Sequence, residues 1–348
     1  MYENLRENTE LWDIFTKKEE YNVTSSDRFD RFPYYLSKQR NIFEPSVSKS
    51  LIENGLNPQY PDDKKFAVCL THDIDIIRPS RFHSIFGAAR AFVKGDLTNA
   101  VKFPFSRINK KLNPFWNFKE IMELETKYDA KSSFYFLTLE PEESDYTYKI
   151  EDVEHELGTI SDGGWEVGLH GGHESYNNLG DLKKKKQKLE KVLGREVIGY
   201  RNHCLRFKVP NTWELLSKAG FKYDSTFGYA DCVGFRNGMC HPFKPFNLNT
   251  EQQIDILEIP LTIMDATLLR DYMQLDFKKA WEFTKDLIDT VEQFNGVITI
   301  LWHNTYMQEK NLQLYKKILK YCSEKNAWLT SGKEIYEMWN NNLINTRK

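Results

Sequence analysis

The chain predicts an α/β protein, a seven-stranded (β/α) barrel preceded by an N-terminal extension. Three observations lead there. From Phe66 onward, short apolar runs alternate with longer amphipathic segments, which argues a parallel sheet with crossover helices. Seven such runs in one stretch favour a barrel over two small open sheets. Residues 1–60, by contrast, are polar and broken by loop-like stretches such as "VTSSDRFDRFP" and "NGLNPQYPDDKK". They read as an extension packed on a barrel domain of residues 61–348.

The strand candidates, in order, are "FAVCL" (66–70), "SSFYFL" (132–137), "WEVGLH" (165–170), "VIGYR" (197–201), "ILEIPL" (256–261), "VITILWH" (297–303) and "AWLT" (327–330). Between them lie "NFKEIMELETKY", "DLKKKKQKLEKVLG", "TWELLSKAGF" and "FKKAWEFTKDLIDTVEQF", each with apolar residues at helical spacing. The run "KKKKQK" (183–188) sits in one of these with Leu182, Leu189 and Leu193 on one side, so it reads as a solvated helix face.

Composition narrows the function. Hydrophobic residues at 40% and aromatics at 14% supply a sizeable core. Lys+Arg 48 against Asp+Glu 50 leaves a net charge of -2, which argues against a nucleic-acid partner. No apolar run approaches a membrane span, and the N-terminus lacks the apolar stretch of a secretory signal. The five cysteines are scattered without a C-x-x-C, as expected of reduced thiols in a cytoplasmic protein.

Reactive residues of parallel barrels gather at the C-terminal ends of strands. The first strand ends in His72, Asp73 and Asp75. The third ends in "LHGGHES", with His170, His173 and Glu174. The fourth ends in "YRNHC", with Arg201 and His203, and the strand at 297–303 in "LWHN", with His303 and Asn304. Two carboxylates one residue apart on a buried strand repel, and burial disfavours their ionised forms. A metal ion or catalytic duty would offset that. One carboxylate plus two imidazole or carboxylate donors is the open three-ligand site of catalytic zinc. A second carboxylate could serve as general base, a further His as acid, and an Arg could hold the base ionised.

These motifs, in this order, resemble those of the polysaccharide deacetylase group (NodB homology, carbohydrate esterase family 4). The likeness runs from Phe66 to the C-terminus. Through "NPFWNFKEIMELE", "SSFYFL" and "YDSTFGYADCVGFRNG" it extends to the sub-branch found among bacterial surface-polysaccharide genes. The resemblance implies a distorted (β/α) barrel and metal-dependent hydrolysis of an acetyl group on a sugar or glycan. It implies Asp73 as catalytic base, Asp75 and His170 as metal ligands, Arg201 as the brace of the base and His303 as general acid. The divalent metal would be Zn2+.

Three departures from the family pattern matter. The aspartates are separated by Ile74. The second motif spaces His170 and His173 as H-x-x-H where H-x-x-x-H is usual. Here His173 is the expected third ligand, with Glu174 the alternative. Asn202-His203-Cys204 stands where Pro-Tyr is common, and His203 is expected at the substrate. Cys232, Cys240 and His241 lack the paired spacing of a second zinc site. Asp224 ends a further strand, and Trp302 is expected in the core. The segment Arg78–Lys111 carries eight basic residues and one acidic one among apolar runs. It reads as a surface excursion over the barrel mouth, or as a contact for an anionic membrane or lipid-linked glycan. Two alternatives to a sugar deacetylase stay open: an amidohydrolase on a small C–N bond, and a silent glycan-binding relative.

Overall fold

Strand β1 (Ala67–Ile74) is buried along its whole length, as a strand covered on both faces must be. Its side chains alternate. Ala67 and Cys69 join a cluster with Tyr135, Tyr223, Leu257, Ile259 and Val297, closed from below by Ile335 and Trp339. Val68, Leu70 and Ile74 join the larger cluster under the helices. The pleat therefore sorts β1 into an inner and an outer row, and Asp73 falls on the inner one. The computed structural model describes residues 3–79, 89, 92–93 and 109–345.

Nine strands make one parallel sheet among the described residues. After β1 come β2 (Ser133–Leu137), β3 (Glu166–Gly171), β4 (Gly199–Asn202), β5 (Tyr223–Asp224), β6 (Leu257–Glu258), β7 (Leu261–Met264), β8 (Val297–Leu301) and β9 (Trp328–Thr330). The order is β6-β5-β4-β3-β2-β1-β8-β7, with β9 paired to the start of β1. Its two ends, β6 and β7, are separated in the chain only by Ile259 and Pro260. The sheet thus curls into a half-barrel whose edges meet through the chain, where Pro260 has no N–H to donate. Seven strands were expected. The other two arise because β5 is only two residues long and the run at 256–264 is cut in two at Pro260.

Helices cover the outer face. Among them are α1 (Thr9–Thr16), α2 (Ser46–Glu53), α3 (Phe118–Thr126), α4 (Glu154–Asp162), α5 (Leu179–Leu193), α6 (Asn211–Lys218), α7 (Phe277–Gln293) and α8 (Glu309–Glu324), while α9 (Gly332–Asn345) supplies Ile335 and Trp339 to the inner cluster. Helix α7 shows the local logic. The Asp276 carboxylate accepts from the Lys279 N–H as N-cap, and Ala280, Thr284, Leu287, Ile288 and Val291 form the buried stripe. Truncating a buried leucine such as Leu287 to alanine costs about 2–5 kcal/mol.

Helix α5 departs from expectation. Lys185 and Lys186, read as part of a solvated face, are buried. Lys185 Nζ pairs with Glu143 at 2.5 Å and Asp181 at 2.8 Å, and Lys186 Nζ donates to the Gly220 carbonyl at 2.9 Å. Their apolar stems extend the Leu182–Leu189 stripe, while their heads find partners in the loops above and beside it. Lys185 supports the turn after β3, since a Cβ at Gly172 would stand 2.5 Å from its Nζ.

The N-terminal residues dock on the 227–247 segment. Phe15 packs edge-on to Phe243, and Arg236 forms a buried ion pair with Glu20 at 2.5 Å. No helix of the described residues is long and apolar enough to cross a membrane. All five cysteines are free thiols. The basic segment expected at 78–111 lies mostly outside the described residues.

Candidate metal centre and active site

Residues two apart on a strand share a face, and this rule builds the site twice. Asp73 and Asp75 leave the end of β1 on the inner side, with His72 between them on the outer side. There His72 Nδ1 donates to the Trp302 carbonyl (2.6 Å), and Nε2 lies 2.9 Å from Glu125 Oε1 on α3. His72 is therefore a core residue. Arg201 and His203 follow the same rule at the end of β4, while His170 comes from β3, in register with Arg201.

Asp75, His170 and His203 converge. Their donor atoms all lie within 4.8 Å of one another, the one such group of ligand type among the described residues. Asp75 Oδ1 stands 3.1 Å from His170 Nε2 and 3.9 Å from His203 Nε2. Ligand atoms around a tetrahedral zinc ion, at about 2.0–2.1 Å from the metal, stand roughly 3.3 Å apart, so the spacing fits.

The tautomers fit as well. His170 Nδ1 donates to the Arg201 carbonyl at 3.0 Å, and His203 Nδ1 faces Asp145 Oδ2 at 2.7 Å. Each bond places a proton on Nδ1 and leaves the Nε2 lone pair aimed at the centre, as ligand histidines require. Asp75 Oδ1 is buried without a hydrogen-bond partner among the described residues. The residues present thus suit a divalent cation of the zinc type.

Electrostatics agree. Burial pushes the Asp75 pKa up, but the imidazoles of His203, His170 and His303 outweigh it and hold the carboxyl well below the usual range. Burial lowers the His203 pKa, and Asp75 and Asp145 more than reverse that, leaving it well above the ordinary value.

Two proton-transfer groups flank the donors. Asp73 is buried, with Oδ2 3.7 Å from His170 Nε2 and Oδ1 without a hydrogen-bond partner among the described residues. His303 Nε2 lies 3.6 Å from Asp75 Oδ2. Its other face is clamped by Asp265, which accepts from Nδ1 and from the backbone N–H, both at 2.6 Å. Burial lowers the His303 pKa, yet Asp265, with Asp75 and Asp73, raises it to about 10.

The structure does not bring His173 into the donor group. Its Nδ1 lies 2.6 Å from Arg206 Nη1 and 2.9 Å from Glu174 Oε1. Its backbone N–H is held by Asp145 Oδ2 at 3.0 Å, which turns the side chain outward. Glu174 is exposed and paired with Arg206 at 2.7 Å. His203, expected at the substrate, stands instead with Asp75 and His170 in the group that could hold a metal.

Arg201, expected to brace the base, lies beneath the donor group. It is fully buried and donates from Nη2 to Thr71 Oγ1 (3.0 Å) and Ser225 Oγ (3.1 Å). Among the described residues no ion pair within 4.0 Å joins it to Asp73. Asp224 is buried, accepts from Thr226 and stands opposite Glu258 in the β5–β6 pair. Trp302 is core, as expected.

Sequence reasoning missed Asp145 and Asp265. Asp265 directly follows β7, so the strand-end rule reaches it once that strand is extended to Met264. Asp145 lies in the acidic loop "EPEESDY" and carries no signal of its own.

No family model matches the sequence, and no curated protein matches it. Among solved structures, the chain shares its fold with a protein known from its crystal structure. A Mycobacterium smegmatis protein provisionally assigned as a polysaccharide deacetylase aligns with a TM-score of 0.55 at 17% identity, over 81% of this chain and 94% of its own. The polysaccharide deacetylase Bc1974 from Bacillus cereus aligns at 0.40 and 12% identity over 76% and 91%. A CE4 family pseudoenzyme from Bacillus anthracis, BA3943, aligns at 0.38 and 12% over 81% and 70%.

Proposed function

We propose that the protein is a metal-dependent hydrolase that removes the acetyl group from an N-acetylated sugar or glycan intermediate in surface-polysaccharide assembly. One observation carries the reading: an Asp-His-His donor set lies between a buried carboxylate and a clamped imidazole, all at the C-terminal end of one parallel sheet. The fold it shares with polysaccharide deacetylases supports the substrate class. The unpaired cysteines support a cytoplasmic location, and the basic segment 78–111 would bring the mouth toward an anionic, lipid-linked substrate.

Asp75, His170 and His203 would hold the cation, zinc by donor type. Bound there, it would polarise the acetyl carbonyl and acidify water. Asp73 takes a proton from the attacking water at its free oxygen. His303, with Nδ1 held by Asp265, gives the Nε2 proton to the departing nitrogen as the C–N bond breaks. Asp265, with Asp75 and Asp73, raises the His303 pKa to about 10, so the ring carries the proton it gives. Arg201, buried beneath, supplies positive charge at the floor and fixes Thr71 and Ser225.

The test is acetate release from a panel of N-acetylated sugars, alongside cyclic imides and formamides, by protein loaded with zinc. The reading expects acetate from a sugar substrate, abolished by chelation and restored by zinc. Turnover of imides or formamides alone would make the protein an amidohydrolase of another kind.

A further inference from the structure

The turn that follows His203 is an uncomfortable one. Cys204 and Leu205 both adopt positive φ, 59° and 52°, a region where a Cβ is crowded against the backbone. Two such residues in succession need outside support, and it comes from the N-terminal segment. Arg31 is buried, and its Nη1 donates to the Cys204 carbonyl at 2.7 Å. Its Nη2 donates to the Tyr272 hydroxyl at 2.6 Å, and its Nε to Asp27 Oδ2 at 2.8 Å.

The segment is organised to present this guanidinium. Asp27 Oδ1 accepts the backbone N–H groups of Phe29 (2.8 Å) and Arg31 (3.0 Å), and the Asp27 N–H bonds to the Arg31 carbonyl. The neighbouring Asp30 accepts from the Tyr176 hydroxyl at 2.8 Å and pairs with Lys208 at 2.9 Å. One short loop therefore ties together the turn after β3, the turn after β4 and the segment beyond Asp265.

We propose that Asp27 and Arg31 are a working pair in the metal centre and that Arg31 is the positioning residue for His203. By holding the Cys204 carbonyl it locks the strained turn, so that His203 Nε2 stays aimed at Asp75 and His170 when no cation is present. This rests on the reading of those three residues as metal ligands.

The experiment measures zinc affinity of the full chain by competition with a chromophoric chelator, together with the visible spectrum of the Co2+-loaded protein, which reports ligand geometry. His203→Ala sets the scale for loss of a ligand. Arg31→Ala is expected to weaken zinc binding about 10- to 100-fold, the range for outer-shell partners of metal ligands, and to change the Co2+ spectrum. Tyr272→Phe, which removes one hydroxyl from an accessible side chain, is expected to weaken binding several-fold. Arg28→Ala, the exposed neighbour, should leave both readouts unchanged.

Wild-type affinity and spectrum in a folded Arg31→Ala protein would overturn the proposal. Should that variant not fold, unchanged affinity in Tyr272→Phe would overturn it. A wild type that binds no zinc, or a His203→Ala variant that binds it as well as wild type, would instead sink the ligand reading beneath.

Discussion

Asp145 Oδ2 accepts from the His203 imidazole at 2.7 Å and from the His173 backbone N–H at 3.0 Å. One carboxylate oxygen thus aims one histidine into the donor group and turns another away from it. The prediction is that His203→Ala loses zinc at micromolar concentrations, while His173→Ala stays within a few-fold of wild type. Asp145→Ala should fall between, weaker than wild type by about 10- to 100-fold. Metal content after equilibrium dialysis decides. Equal losses in the two histidine variants would contradict the assignment.

Asp73 and Asp75 share a face, and the proposed function gives them different roles. Asp73→Asn should keep its zinc and lose about 10²- to 10⁴-fold in turnover, the usual cost of removing a general base. Asp75→Ala should lose the metal itself. Dialysed metal content and the acetate release rate of each variant separate the two roles.

Asp265 is predicted to act only through His303. Asp265→Asn keeps the shape but weakens the two 2.6 Å bonds that orient the ring and raise its pKa. Zinc content should be unchanged. The rate should fall about 10²-fold or more, with the high-pH limb of the rate profile moving to lower pH, because the acid loses its proton sooner. An unmoved limb would show that His303 is not the titrating acid.

Away from the site, Asp224 and Glu258 face each other across the β5–β6 pair. Burial raises both pKa values, and Glu258, also facing Asp224, lies well above the ordinary range. The folded state therefore keeps a proton that the unfolded chain releases near pH ~4. The associated stability is fully present below that pH and is lost as pH rises through the folded-state values. Melting temperature should accordingly fall from pH 5 to pH 8 more steeply in wild type than in Glu258→Gln. Parallel curves for the two proteins would contradict the shared proton.

Much of this was legible in the chain because strand alternation carries it. The runs at 66–70, 132–137, 165–170 and 297–303 predict strands, and the strand-end rule leads to Asp73, Asp75, His170 and His303. The i, i+2 spacing that puts Asp73 and Asp75 on one face does the same for Arg201 and His203. The fate of His173 was not legible, because it depends on a turn whose direction is set by Asp145, a residue 28 positions earlier. The burial of Lys185 and Lys186 was hidden for a similar reason. Their partners Glu143, Asp181 and the Gly220 carbonyl lie mostly in other segments, and helical periodicity says nothing about those.

The central claim is that His203, from the end of β4, completes the metal centre. An anomalous-difference map at the zinc edge, from crystals of the zinc-loaded protein, tests it most directly. The account predicts one strong peak within bonding distance of Asp75, His170 Nε2 and His203 Nε2. A peak bound by His173 or Glu174 in place of His203, or no peak at this site, would contradict it.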